Sequence, residues 1–314
     1  MSATGFQLPL ANAAALYVHC WLPAAAPTAA LLIVHGMAEH GARYARLAAA
    51  LNAQGIAVYA PDLPGHGLSV QQPQDRGFFK EHDGWGYALD AIHQVRLHVA
   101  AAHAGLPLLL LGHSMGSFLS QHYLVEHGAG LAGAVLSATT GSLGPTRALG
   151  ATLLRAEGWL FGKRHPSALA EALSFKTFNK RFDRKDAPAR TAFDWLSRDP
   201  DEVDRYIADP QCGFRCSAQL WVDLLDAGAQ LLDPARLARI PRTLPILLIA
   251  GSDDPVSGGA SGPNLLAAAY RKTAISDVGV KIYPQGRHEL LNDICREQVT
   301  ADLSHWFAAR IGHA

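Results

Sequence analysis

The sequence predicts an α/β fold: a mostly parallel, doubly wound sheet with a helical insertion late in the chain. Three observations carry this. Short apolar runs bounded by Gly, Pro or Asp recur along the chain and read as strands buried on both faces. Stretches long enough for helices separate them, as a parallel sheet with crossovers requires. Residues 141–240 break the rhythm, with no convincing apolar strand but several helix-like pieces, many aromatic residues and six prolines.

Taken in order, LYVHCWL (16–22) alternates in the manner of an outer strand, and AALLIVHG (29–36) is a continuous apolar run ending in His-Gly. GIAVYAPD (55–62), PLLLLGHS (107–114), GAVLSAT (133–139), PILLIAGSDD (245–254) and VGVKIYP (278–284) complete the expected strands. Helices are expected over 43–54, 83–104, 117–128, 260–273 and 292–311. The domain reading is a core made of 1–140 and 241–314, with 141–240 inserted as a helical cap over the carboxyl ends of the strands, where functional loops gather in such sheets.

Composition narrows the function. The 314 residues carry 27 Lys+Arg against 27 Asp+Glu, a balance that argues against nucleic acid as the partner. The four cysteines, Cys20, Cys212, Cys216 and Cys295, are too few for a disulfide framework in a chain of this length. Cys212 and Cys216 stand four apart without a neighbouring Cys or His at metal-ligand spacing, so no zinc site is expected. The first residues lack the basic start of a signal peptide, and no apolar run reaches the roughly 20 residues of a membrane span. A soluble protein of a reducing compartment, the cytoplasm, is the expectation.

Chemistry concentrates in three segments. Gly112-His113-Ser114-Met115-Gly116 is a G-x-S-x-G run between four leucines and the amphipathic stretch SFLSQHYLVEH. A serine on such a strand-to-helix turn is held above the sheet edge as a nucleophile, with small residues two before and two after it. The other reading is a turn whose serine caps a helix. Acyl transfer also needs two N–H donors for the developing oxyanion. Met115 would offer one, and Met37, in the loop IVHGMAEHGARY, the other.

In a fold of this kind the acid and the base follow the serine in the order Ser, acid, His. Beyond Asp254 the histidines are His288, His305 and His313. His313 is at the chain end and His305 sits in a helical pattern, so His288, in the loop after the last strand, is the expected base. His113 should point away from Ser114, since neighbouring strand residues face opposite sides. His66 should bond within its own turn. The acid lies in LLIAGSDDPVSGG (247–259) and is Asp253 or Asp254. Pro255 biases Asp254 towards an extended backbone, which favours it only weakly.

Together, HGMAEH (35–40), DLPGHGLS (62–69), GHSMG (112–116) and Asp254 with His288 resemble the α/β-hydrolase superfamily, in its monoacylglycerol lipase and lysophospholipase-like branch filed with S33 serine aminopeptidases. DPDEVDRYIADPQCGF (199–214) and YPQGRHELLND (283–293) look like the same branch. The resemblance to Gly-x-x-Asp-Pro-Val, starting at Gly251, selects Asp254. It implies a Ser114–His288–Asp254 hydrolase of carboxylic esters, without metal or organic cofactor, acting on a small ester or lipid and touching a membrane surface at most transiently. The chain lacks the G-G-x-W-G oxyanion segment usual in proline iminopeptidases, which argues against peptidase activity. A short-chain carboxylesterase or thioesterase uses the same triad, and a non-catalytic binding protein could share the fold. The aromatic residues of 141–240 serve either an apolar acyl site or the core of the insertion. KTFNKRFDRKD (176–186) is either a solvated basic face or a site for an anionic headgroup.

Overall fold

The computed structural model describes residues 4–10, 14–186 and 188–312. Its eight strands are β1 (Thr4–Pro9), β2 (Ala15–Trp21), β3 (Ala29–Val34), β4 (Ile56–Pro61), β5 (Leu108–His113), β6 (Gly133–Ser137), β7 (Ile246–Gly251) and β8 (Val278–Tyr283). They form one sheet in the order β1-β2-β4-β3-β5-β6-β7-β8. β1 and β2 pair antiparallel, as do β2 and β4, and every later pairing is parallel. The helices are α1 (Ala45–Asn52), α2 (Gly84–Ala102), α3 (Met115–His127), α4 (Arg147–Phe161), α5 (Ala168–Leu173), α6 (Phe175–Asn179), α7 (Pro200–Ala208), α8 (Ala218–Ala227), α9 (Pro234–Leu237), α10 (Ser261–Lys272) and α11 (Arg296–Ile311).

Every strand predicted from an apolar run is present, with ends within three residues of the expected ones. β1 was not predicted. Only Phe6 and Leu8 of TGFQLP are even half-buried, opposite Val18 and Leu16 on β2. Two alternating apolar residues beside Gly5 and Pro9 are too faint a period to separate an edge strand from a loop.

The buried strands split their side chains between two layers, because neighbours on a strand face opposite sides. Leu32, Leu110, Leu136 and Leu248 pack with Ile92, Phe118, Leu124, Leu266 and Tyr270 of α2, α3 and α10. Leu31, Ile33, Leu109, Leu111, Val135 and Ile249 pack with Leu47, Leu51, Val299, Leu303 and Phe307 of α1 and α11. Two-sided burial is why these strands read as unbroken apolar runs.

Two features of this sheet position the site. The chain leaves β3 for β4 on one side and returns as β5 on the other, so the order reverses between β3 and β5. Their parallel register sets Val34 beside Gly112. The loops that follow both strands therefore emerge together, in the crevice where doubly wound sheets bind ligands. The second feature is the run from β6 to β7, which passes through α4–α9 and contributes no strand to the sheet among the described residues.

The β5–α3 turn is tight. A methyl group on Gly116 would overlap the carbonyl oxygens of Val34 and His35, and one on Gly112 would overlap Ser120 Oγ and the Gly116 carbonyl. These are the close approaches of strand and helix that the two glycines permit. Gly116→Ala is therefore expected to destabilise the fold by about 1–3 kcal/mol through overpacking, read as a lower urea midpoint at an unchanged slope.

Candidate active site

Ser114 occupies the hairpin between β5 and α3 with φ 53° and ψ −121°, a conformation few non-glycine residues adopt. Its N–H donates to Ser137 O on β6 at 2.9 Å, and its carbonyl accepts the Ser117 and Phe118 N–H groups. The backbone is thus fixed from the sheet and from the helix, leaving the half-buried side chain free to point outward.

Asp254 and His288 come from the loops after β7 and β8, adjacent parallel strands. His288 Nδ1–H donates to Asp254 Oδ1 at 2.9 Å, and His288 Nε2 lies 2.9 Å from Ser114 Oγ. The carboxylate fixes the tautomer, which leaves Nε2 bare to accept the serine proton. Asp254 Oδ1 also accepts the Val256 N–H at 2.9 Å. Burial opposes its charge, yet His288 beside it holds its carboxyl below the ordinary value. Asp253 is half-buried, turned away, and paired with Arg181 at 3.2 Å.

The other histidines separate by environment. His305 lies exposed on α11, and His313 is outside the described residues. His113 is buried, 3.3 Å from Ser137 Oγ, and burial pushes its pKa down to about 4. His66 Nδ1 lies 2.9 Å from Pro64 O inside its turn, with its pKa pushed down to about 3 by burial. His35 accepts the Leu63 N–H at Nε2 (2.9 Å) and donates from Nδ1 to Gly36 O (2.7 Å).

Met37 and Met115 bring their N–H groups to the two loops beside Ser114. Among the described residues neither N–H meets a protein acceptor. That of Met115 is one of the open donors of the first turn of α3. Gly36 packs so close that a Cβ there would sit 3.2 Å from Ser114 Cβ.

A charged network that sequence reading left unassigned holds these loops together. Glu39 accepts the Gly36 N–H at 2.5 Å and the Tyr44 hydroxyl at 3.1 Å. Arg43 donates to Glu39 at 2.8 Å and to both oxygens of Glu289 at 2.6 Å. The buried guanidinium therefore joins the Met37 loop to the residue after His288. Burial disfavours the Glu39 charge, but Arg43 prevails and draws its pKa to about 2. The only signal in the sequence was adjacency to Met37 and His288.

Ser114 opens on a cavity of about 480 Å³. Met37 and Val256 line it from the sheet loops, Met115 and Phe118 from α3, and Leu149, Leu153, Leu173, Phe178 and Trp221 from the β6–β7 segment. Leu149, Leu153 and Leu173 are also exposed, so the cavity reaches the surface through an apolar mouth. The aromatic residues of the segment divide between the cavity wall and a packed cluster. Phe178 and Trp221 line the cavity, while Trp195 and Phe193 pack with Tyr206 in a small core of its own. In the basic run, Arg181 pairs with Asp253 and Arg184 with Asp186. A larger polar groove of about 560 Å³ between α2, α3 and α8 contains none of the residues above.

The fold brings His40 and Asp209 to Cys212, a grouping that linear spacing did not reveal, and sets His19 beside His40 and Asp62. These groups are engaged with one another and with the backbone. Asp62 accepts the Gly41 and Leu68 N–H groups at 2.7 Å and faces His19 at 3.1 Å, while His40 Nε2 lies 2.9 Å from Asp209. Burial pushes the Cys212 thiol well up, which disfavours the thiolate a metal requires.

The profile of the family described as serine aminopeptidase, S33, matches residues 25–294. The chain belongs to this family. Its fold is that of the α/β-hydrolases. Among relatives of this S33 chain, the monoglyceride lipase of Mus musculus is 30% identical over 97% of the chain and 91% of its own length. The monoacylglycerol lipase of Mycolicibacterium smegmatis is 29% identical over 93% and 92%. A thermostable carboxyl esterase from Bacillus coagulans superposes with a TM-score of 0.88 at 25% identity, covering 99% of both chains. No helix among the described residues is long and apolar enough to cross a membrane.

Two tests follow from this geometry. Asp254→Asn should lower ester turnover by roughly 10³- to 10⁴-fold through loss of the correct His288 tautomer, and Asp253→Asn less than about threefold, measured as kcat/KM. Glu39 has a folded pKa of about 2 against 4.5 for the free side chain. Its charge therefore contributes stability in full above the free value, and that contribution is lost as pH falls through about 2. The difference in thermal midpoint between wild type and Glu39→Gln should accordingly be largest above pH 5 and shrink as pH falls towards 2.

Proposed function

We propose that this S33 protein hydrolyses carboxylic esters of lipid type, monoacylglycerols or lysophospholipids, by a Ser114–His288–Asp254 triad acting through an acyl-enzyme. The observation that carries the reading is the relay from Ser114 through His288 to Asp254, with both contacts at 2.9 Å, at the floor of an apolar cavity. The relatives named as monoglyceride and monoacylglycerol lipases support the same chemistry.

Ser114 Oγ attacks the acyl carbonyl while His288 Nε2 accepts its proton. The tetrahedral oxyanion takes hydrogen bonds from the N–H groups of Met37 and Met115. His288 then protonates the departing alcohol, and the acyl group remains on Ser114. Water enters, gives its proton to the same Nε2, and attacks the acyl carbon, releasing the acid and restoring Ser114. Asp254 keeps Nδ1 protonated and stabilises the imidazolium formed in each half. Every step is proton transfer and acyl transfer between these groups and water, so no metal or organic cofactor is required.

The acyl chain lies along Leu153, Leu173, Phe178 and Trp221, in a cavity of the size that encloses small-molecule ligands. In this reading residues 141–240 are the cap over a core of 1–140 and 241–314. A general carboxylesterase is the second reading, favoured by the likeness to the Bacillus coagulans enzyme.

A fluorophosphonate probe is expected to label the wild type and leave Ser114→Ala unlabelled; equal labelling of both removes Ser114 from the mechanism. Across 4-nitrophenyl esters, monoacylglycerol and lysophosphatidylcholine, kcat/KM should rise with acyl length. Turnover of acetyl and butyryl esters alone would leave the esterase reading in its place.

A further inference from the structure

We infer that Tyr206 is a positioning residue for the oxyanion hole, so that the segment between β6 and β7 completes the hole as well as lining the cavity. This rests on the reading of Ser114 as nucleophile and of the Met37 N–H as donor. The stretch DPDEVDRYIADPQCGF has no part in the triad, yet it closes on the Met37 loop at several points.

Ala38, next after Met37, has φ +54°, a left-handed backbone that a non-glycine residue keeps only where its surroundings hold it. Its carbonyl accepts two hydrogen bonds, from the Tyr206 hydroxyl at 3.0 Å and from the Gly213 N–H at 2.9 Å. Both donors belong to the inserted segment. Two residues on, His40 Nε2 meets Asp209 Oδ2 at 2.9 Å, and the Arg43 guanidinium lies 4.9 Å from the centre of the Tyr206 ring. On the other flank of Met37 along the chain, Glu39 holds the Gly36 N–H. The Gly36–Met37 peptide, whose own carbonyl accepts from His35 Nδ1, thus lies between one peptide held by the Glu39 carboxylate and another held by the Tyr206 hydroxyl and the Gly213 N–H.

Ala38 has no exposed surface and Tyr206 is 4% exposed, so no water stands ready to replace the hydroxyl if it is removed. Burial raises the phenol pKa well above its ordinary value, which keeps it protonated and donating. An oxyanion donor is effective only if its direction is set before charge develops. Loss of the Tyr206 hydroxyl should loosen the Met37 N–H while leaving the acyl cavity intact, since Tyr206 does not line it.

Tyr206→Phe removes the hydroxyl and keeps the ring against Phe193 and Arg43. Rates are taken per active site titrated with the fluorophosphonate, so that unfolded protein is not counted. The expected result is a fall in kcat of about tenfold with KM for the same ester within twofold. A trifluoromethyl ketone, whose hemiketal oxygen occupies the hole, should lose affinity by a factor matching the loss in kcat/KM. If kcat and ketone affinity are unchanged while the wild type labels normally, the positioning role is wrong and the triad reading stands. A rise in KM with kcat and ketone affinity unchanged also overturns it, because the hydroxyl would then serve substrate binding. A wild type that does not label overturns both readings.

Discussion

The left-handed backbone at Ser114 is the constraint around which the rest of the site is arranged. It can be held only where a strand stops and a helix starts within one residue, and where nothing larger than glycine stands at 112 and 116. The Ser114 N–H on Ser137 O and the first turn of α3, bonded to the Ser114 carbonyl, maintain it. The reversal of strand order between β3 and β5 then determines which loop lies opposite, and β7 and β8 deliver Asp254 and His288 from the other side. None of these side chains is near another in sequence. Parallel register does the assembling.

Holding the loops at that point involves burying charge. Glu39, Arg43 and Glu289 are almost entirely enclosed, an arrangement that is costly unless each charge is paired and hydrogen-bonded. Here the guanidinium forks onto one carboxylate and bridges to a second, while the remaining carboxylate oxygen takes a backbone N–H and a phenol. The trio makes the Met37 loop and the His288 loop a single mechanical unit. Removing one member leaves the others buried and uncompensated, so the loops are expected to loosen together rather than separately.

How much of this was legible in the sequence depends on the range of the interaction. Strands such as LLLLGH and ILLIAG were visible because two-sided burial leaves an unbroken apolar run. The turn at Ser114 was visible because its steric demands fall within five residues. Asp254 and His288 were selected by chain order and by resemblance, and the choice against Asp253 rested on the latter. In the fold the two aspartates differ sharply, one enclosed beside an imidazole and the other facing an arginine at the surface. β1 was missed for want of apolar residues. The Glu39–Arg43–Glu289 network and the hold of Tyr206 on Ala38 were invisible because their partners are far apart along the chain. The cluster at Cys212 was hidden for the same reason.

The cavity draws most of its lining from α4, α5, α6 and α8, whereas Ser114, Asp254 and His288 sit on loops of the sheet. The side chains that line the cavity and the Ser114–His288–Asp254 relay thus occupy different stretches of polypeptide. Changes at positions such as Leu153 or Leu173 can reshape the cavity without moving Ser114 or His288. That separation lets the cavity lining and the relay vary independently, with the contacts at Ala38, His40 and Arg43 tying the β6–β7 segment to the sheet loops.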